Sequence, residues 1–244
     1  SSMAYDAKQI AKAAGGLTLA GAPEGFDALV MADVARARGG LTAFVARDTA
    51  RASAFIDALK FFAPEIEAVL LPSWDCLPYD RIGPSAGVAA TRMCTLHRLA
   101  NGLGENKPAM LVVAAPALLQ RVPTKEVLLR ASYGAKVGQS VDIKDLERYF
   151  AVNGYVRAST VSERGEFAIR GGVIDVYPPA SEEPVRLDLF GDTLESIRAF
   201  DPETQRSTKQ LKSIELLPVS EALLDADAVS RFRGSYVRLF GAPG

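Results

Sequence analysis

Residues 154–208, GYVRASTVSERGEFAIRGGVIDVYPPASEEPVRLDLFGDTLESIRAFDPETQRST, narrow the possible folds more than any other part of the chain. They read as short strands joined by turn signals, with arginines where a fully buried sheet would carry valines. Residues 155–161 are β-branched enough for a strand, and Glu163, Arg164 and Gly165 supply a charged turn into a second strand at 166–170. Pro178 and Pro179 close the third strand, because proline cannot donate to a ladder. Residues 185–190 and 193–200 flank Gly191 and Asp192, which both tolerate positive φ, so a tight hairpin is expected, ended by Asp201 and Pro202. A two-residue loop sets Asp188 opposite Glu195. Like charges opposed across a hairpin are unfavourable without a nearby cation, and Arg186, two residues back on the same face, is the expected one.

The first half has a different rhythm. Short apolar runs at 16–20, 42–46, 66–71 and 109–114 alternate with helical patterns at 26–37, 49–62 and 88–100. This βαβ alternation predicts a parallel sheet covered by helices, an α/β domain over about residues 5–120. Residues 141–153 form a further predicted helix, with Asp142 as N-cap and Leu146, Tyr149 and Phe150 at spacings of three and four. Laid against the strand-rich run, it makes residues 121–219 a smaller α+β domain, and 220–244 begins a further segment with a helical pattern at 222–240. A chain of 244 residues, 48% apolar, can fill two cores.

The sequence argues against chemistry in this piece. The loop with Gly21, Glu24, Gly25, Phe26 and Asp27 follows a predicted strand and opens a helix, where a phosphate-binding GxxxxGK[ST] loop belongs. It is one residue short. Phe26 stands in place of the lysine and Asp27 in place of the hydroxyl residue, so charge neutralisation is replaced by repulsion. The apolar strand at 111–113 runs into Ala114, Ala115 and Pro116, with no carboxylate to hold magnesium. Cys76, Cys94 and His97 are too few for a zinc site or a disulfide framework. His97 lies in a helical pattern with Met93, Leu96 and Leu99, as a surface or half-buried residue. Trp74 to Asp80 reads as a proline-stiffened loop anchored by Trp74 and Tyr79, with a family-specific contact surface as the alternative. No catalytic residue, metal or cofactor is expected.

The net charge of −1 lacks the footprint of a dedicated nucleic-acid binder, so any DNA contact by this piece should be weak. The N-terminus has no apolar run of signal-peptide length and nowhere do eighteen consecutive apolar residues occur, which predicts a cytoplasmic protein with no membrane partner.

GEFAIRGGVIDVYPP followed by PVRLDLFGDTLESIRAFDPETQR resembles the second domain shared by the excision-repair protein UvrB and the bacterial transcription-repair coupling factors. Upstream, LPSWDCLPYDRIGPSAGVAATRMCTLHRLA is similar to the coupling factors rather than to UvrB, which has a tyrosine-rich insertion hairpin there. The resemblance spans about residues 15–240. It implies a degenerate P-loop-NTPase-like domain followed by a UvrA-binding domain, together an amino-terminal fragment of a much longer protein. It further implies that ATP, magnesium, DNA translocation and displacement of stalled RNA polymerase belong to the rest of the parent chain. The parent's carboxyl-terminal region would mask the UvrA-binding face.

Carried over by motif position, the UvrA-docking arginines fall on Arg157 and Arg170. Arg186 and Asp188 take the places of a nearby arginine and acid pair. Ala168 stands where UvrB has a further basic residue, so one contact of that kind is missing. Guanidinium groups are common interface hot spots, and Phe167 or Tyr177 is the expected aromatic anchor. Charge is polarised along the domain, nine bases to six acids over residues 121–170 and mostly acids over 175–203. A UvrB-like ATPase gripping damaged DNA through residues 71–85 is the competing function, and a first domain that only scaffolds the second is a third.

Overall fold

The computed structural model describes residues 7–12, 25–74 and 86–224. It divides into two compact units, one drawn from Ser1–Arg81 and Arg98–Arg121, the other from Ile82–His97 and Val122–Gly244. The expected strand at 16–20, most of the Gly21 to Asp27 loop, residues 75–85 and most of the helical pattern at 222–240 lie outside the described residues.

In the first unit, helices α1 (Ala7–Lys12), α2 (Phe26–Arg38) and α3 (Thr49–Phe62) accompany strands β1 (Leu41–Ala46), β2 (Glu67–Leu71) and β3 (Ala109–Ala114). The described strands are parallel in the order β1-β3-β2. Small residues let α2 approach closely: Ala28, Ala32 and Ala35 are buried in one core with Phe55, Ile56, Leu59, Met110 and Val112. The rings of Phe44 and Phe55 stack there at 3.8 Å. Asp48 caps α3 by accepting the Arg51 N–H at 2.8 Å, which satisfies one of the amides a helix start leaves without a partner.

Helix α4 (Ala86–Ala100) contributes its residues through His97 to the second unit, whereas the linear reading assigned the whole stretch to the first. The second unit continues with α5 (Lys125–Ala131), β4 (Tyr133–Lys136), α6 (Ile143–Val152) and β5 (Val156–Arg157). It is completed by β6 (Glu166–Arg170), β7 (Val173–Val176), β8 (Val185–Phe190), β9 (Thr193–Phe200), β10 (Ser207–Leu211) and β11 (Ser213–Leu216). Six strands form one sheet in the order β10-β9-β8-β7-β6-β5, antiparallel except for the β5 and β6 pair, and β11 pairs with β4. Phe167, Val176, Val185 and Ala199 make one cross-strand row, and Ile169, Ile174, Leu187 and Ile197 the next. Both rows face α6, whose Leu146, Tyr149 and Phe150 complete that core. Each such side chain contributes roughly 2 kcal/mol by leaving water.

Asp142 caps α6 as expected, its carboxylate accepting the Lys144 N–H at 2.8 Å. Asp142→Ala should therefore destabilise the second unit by about 1 kcal/mol, read by denaturant unfolding of the whole chain.

Two sequence expectations are corrected. The strand drawn over residues 155–161 shrinks to Val156 and Arg157, because Val161 turns into a small apolar cluster with Ala168, Tyr177 and Phe200. The hairpin loop of Gly191 and Asp192 is as expected, with Gly191 at φ 62°. A bulge then interrupts the ladder, so Asp188 opposes Ser196 rather than Glu195. The extra residue removes the acid-against-acid pair, and both Arg186 and Asp188 take other partners.

A candidate partner-docking face

Strand alternation sends one set of side chains toward α6 and the other to the opposite, outer face. The paired residues Ala168, Asp175, Arg186 and Arg198 form one outer row; Arg170, Val173, Asp188 and Ser196 form the next. Arg186 and Arg198 are direct cross-strand neighbours, an unfavourable pairing of like charges unless each is neutralised. Each is. Arg186 donates twice to the buried Asp175 carboxylate, at 2.7 and 2.8 Å, and its guanidinium lies 5.0 Å from the centre of the Phe200 ring. Arg198 donates to Asp188 at 2.6 Å, and Ser196 donates to the same oxygen at 2.9 Å. The Asp175 bond holds the Arg186 guanidinium even more firmly charged than usual. The cation for Asp188 is thus Arg198, and the acid for Arg186 is Asp175, in place of the expected mutual pair.

Arg170 is exposed at one end of this face and donates to the Ser159 carbonyl at 2.5 Å, bracing the loop between β5 and β6. The same loop is tied by Glu166, whose carboxylate accepts the N–H groups of Ser162 and Glu163, both at 2.9 Å. Burial pushes the Glu166 carboxyl up, but those bonds outweigh it and hold it below the usual range. Beyond Asp188 on β8, Leu189 turns into the core and Phe190 turns out, 77% exposed. Its backbone is rigidly placed, since the hairpin tip is tied to the preceding loop. The Val141 N–H donates to the Asp192 carbonyl at 2.7 Å, and the Ser140 hydroxyl donates to the Asp192 carboxylate at 2.9 Å.

The remaining predicted site residues lie elsewhere. Arg157 pairs in register with Phe167, which puts it on the α6 side of the sheet, opposite Arg170. It bonds Glu147 of α6 and sits 5.4 Å from the centre of the Phe167 ring. Phe167 is a core residue, stacked on Phe150 at 4.5 Å, and Tyr177 is nearly buried, its hydroxyl donating to the Glu182 carbonyl at 2.7 Å. Neither ring offers a free face as an anchor. In the first unit, Gly25 leads into α2 behind Phe26, and Asp27 accepts the Ala28 N–H at 2.9 Å and an Arg51 N–H at 2.5 Å. Among the described residues no group of His, Cys, Asp and Glu is arranged to hold a metal ion, and no helix is long and apolar enough to cross a membrane.

Residues 134–221 match the family model for the UvrB interaction domain, which takes in α6 and the whole six-stranded sheet it backs. The chain is 38% identical over 202 residues to the transcription-repair-coupling factor of Myxococcus xanthus, 78% of this chain and 16% of that protein. The Haemophilus influenzae coupling factor is 31% identical over 217 residues, 89% of this chain and 18% of that protein. This chain belongs to the transcription-repair-coupling factor family. The Escherichia coli member, 31% identical over 209 residues, is matched over 86% of this chain. The chain spans less than a fifth of the length of these coupling factors.

Phe190 and Arg198 also belong to this candidate face, and neither stands out among the expected site residues. A signal for Phe190 was present: Val185, Leu187 and Leu189 set the inward phase of β8, so an aromatic at 190 falls on the outward phase. Arg198 was masked by the unforeseen bulge, which decides what stands opposite Asp188.

Proposed function

We propose that this chain is the noncatalytic amino-terminal module of its coupling factor and that the outer face of its second unit docks UvrA. Arg170, Arg186, Asp188 and the added Phe190 are the docking residues. The observation that carries the reading is the pairing, on one face of the matched interaction domain, of fixed guanidinium groups with an exposed aromatic ring on a tied backbone. Interface hot spots are built from those residue types, which bury much area with little loss of rotamer freedom. In this reading RNA polymerase, DNA and the ATP-driven translocase belong to the rest of the parent chain, as does the carboxyl-terminal region that masks the face.

The first unit serves as a scaffold of degenerate nucleotide-binding type. At the start of α2, where a phosphate would meet free amides and a cation, the Asp27 carboxylate already accepts an amide and Arg51. ATP and magnesium have no role in this piece. Binding of ATP at micromolar concentration would overturn that part.

Titration of purified UvrA into the chain by calorimetry tests the docking face. Phe190→Ala and Arg170→Ala should each weaken binding by about tenfold or more, with the melting temperature of Phe190→Ala unchanged. Arg157→Ala, on the opposite side of the sheet, should change affinity by less than about threefold. The reverse ranking would move the interface to the α6 side, and absence of binding by the parent chain would overturn the UvrA reading.

A further inference from the structure

We propose that residues 217–223 act as a strap that positions the β5 edge, and that a buried ion pair from α4 holds the strap in place. The strap runs along the start of β5 and β6 and is fixed at four points. The Tyr155 hydroxyl donates to the Leu217 carbonyl at 2.6 Å, and the Val219 N–H donates to the Asn153 carbonyl at 2.9 Å. Leu223 fills the notch left by Gly154, where an added Cβ would come within 2.6 Å of its Cδ1; Gly154 also needs its positive φ of 81°. Finally, Glu221 forms an ion pair with Arg92 of α4, whose side chain is completely buried.

Strand β5 gives this arrangement its consequence. It is two residues long, at the edge of its sheet, and holds to β6 through the Val156 N–H to the Gly165 carbonyl at 2.9 Å and the Ala158 N–H to the Phe167 carbonyl at 2.8 Å. So short an edge strand has little stability of its own. What orders it is the strap beneath Asn153, Gly154 and Tyr155, and a strap released from α4 would give up a buried ion pair. Arg92 and Glu221 are thus positioning residues for Arg157 and for the loop from Ala158 to Gly165 that Arg170 braces. Helix α4 lies upstream of the matched interaction domain, so the unit that presents the docking face extends beyond residues 134–221. Only this link to docking rests on the UvrA reading; the effect on β5 does not.

Amide hydrogen exchange on the whole chain tests the proposal. In Glu221→Ala and in Arg92→Met, the Val156 and Ala158 amides should exchange about tenfold faster or more, because the edge opens locally. The Leu189 and Leu194 amides, bonded to the Gly172 and Gln139 carbonyls at the far end of the sheet, should stay within about threefold of the parent. Leu223→Ala removes the apolar anchor without disturbing a charge and should accelerate the same two amides. It decides the matter if the charge variants do not fold. Unchanged exchange at Val156 and Ala158, or an equal acceleration at all four amides, would overturn the strap. Parallel titration with UvrA separates the two readings: a parent chain that does not bind it overturns docking, while the exchange data still decide the strap.

Discussion

Above pH 10 the second unit should lose stability steeply, by about 4 kcal/mol in total at about pH 11, and unfold cooperatively soon after. The cause is a set of three tyrosines in one core. Tyr133 and Tyr149 lie with ring centres 5.3 Å apart, Tyr155 packs on Phe150 at 5.0 Å, and all three are almost wholly buried. Burial pushes Tyr133 up to about 12, helped by the nearby Asp145 and Asp142 carboxylates. Burial likewise pushes Tyr149 and Tyr155 well above the ordinary phenol value; for Tyr155 the bond to Leu217 offsets only part of it. In the unfolded chain each ionises near pH 10, so from there upward the unfolded state binds fewer protons than the folded one and stability falls with rising pH. The stabilisation is complete below pH 10 and is lost on the way up to the folded values. Each tyrosine contributes about 1.4 kcal/mol to the loss at about pH 11. Denaturant unfolding at a series of alkaline pH values measures the slope. Tyr155→Phe should remove about a third of it, and a flat profile would show that water reaches these hydroxyls in the folded state.

Asp175→Ala should cost the second unit about 3 kcal/mol or more. Asp175 is buried, accepts both bonds from Arg186, and stands in the row that brings Arg186 against Arg198. Its removal leaves the Arg186 guanidinium only partly exposed and without its acid, directly opposite a second cation. Arg186 retains some solvent contact, which keeps the figure at the lower end for a broken buried pair. If the pair is the reason, Asp175→Ala combined with Arg186→Leu should be less harmful than Asp175→Ala alone, because an apolar side chain beside Phe200 needs no counter-charge. Chemical denaturation of the four members of that double-mutant cycle reads the coupling. A single-variant loss below about 1 kcal/mol would show that the pair behaves like a surface salt bridge.

Legibility in the sequence followed the range of the interaction that decides each element. Helix α3 and strands β3, β6, β8 and β9 have the boundaries their patterns predict, and Asp142 caps α6, because propensity, capping and turn chemistry act within a few residues. Strands β4, β10 and β11 were not foreseen. Ser207, Thr208, Lys209 and Gln210 of β10 are all exposed and show no apolar alternation; they are strand because β9 offers them a ladder. The candidate face was half legible. Its arginines stand out in the string, but the choice of Asp175 for Arg186 and of Arg198 for Asp188 follows from the order of strands and the bulge at Glu195.

The sequence alone determined the succession of an α/β part and a strand-rich α+β part, the hairpin at Gly191 and Asp192, the helix that backs the sheet, and the family. These rest on periodicity, on turn residues and on motifs that are contiguous along the chain. Only the tertiary structure decided that Arg157 and Arg170 lie on opposite faces, that Phe167 is core, and that α4 reaches Glu221 through Arg92. The physical reason is the two-residue repeat of a strand: one inserted residue reverses the side of every following side chain. Register is set by pairing between distant segments, and a buried ion pair 129 positions apart leaves no local trace in the sequence.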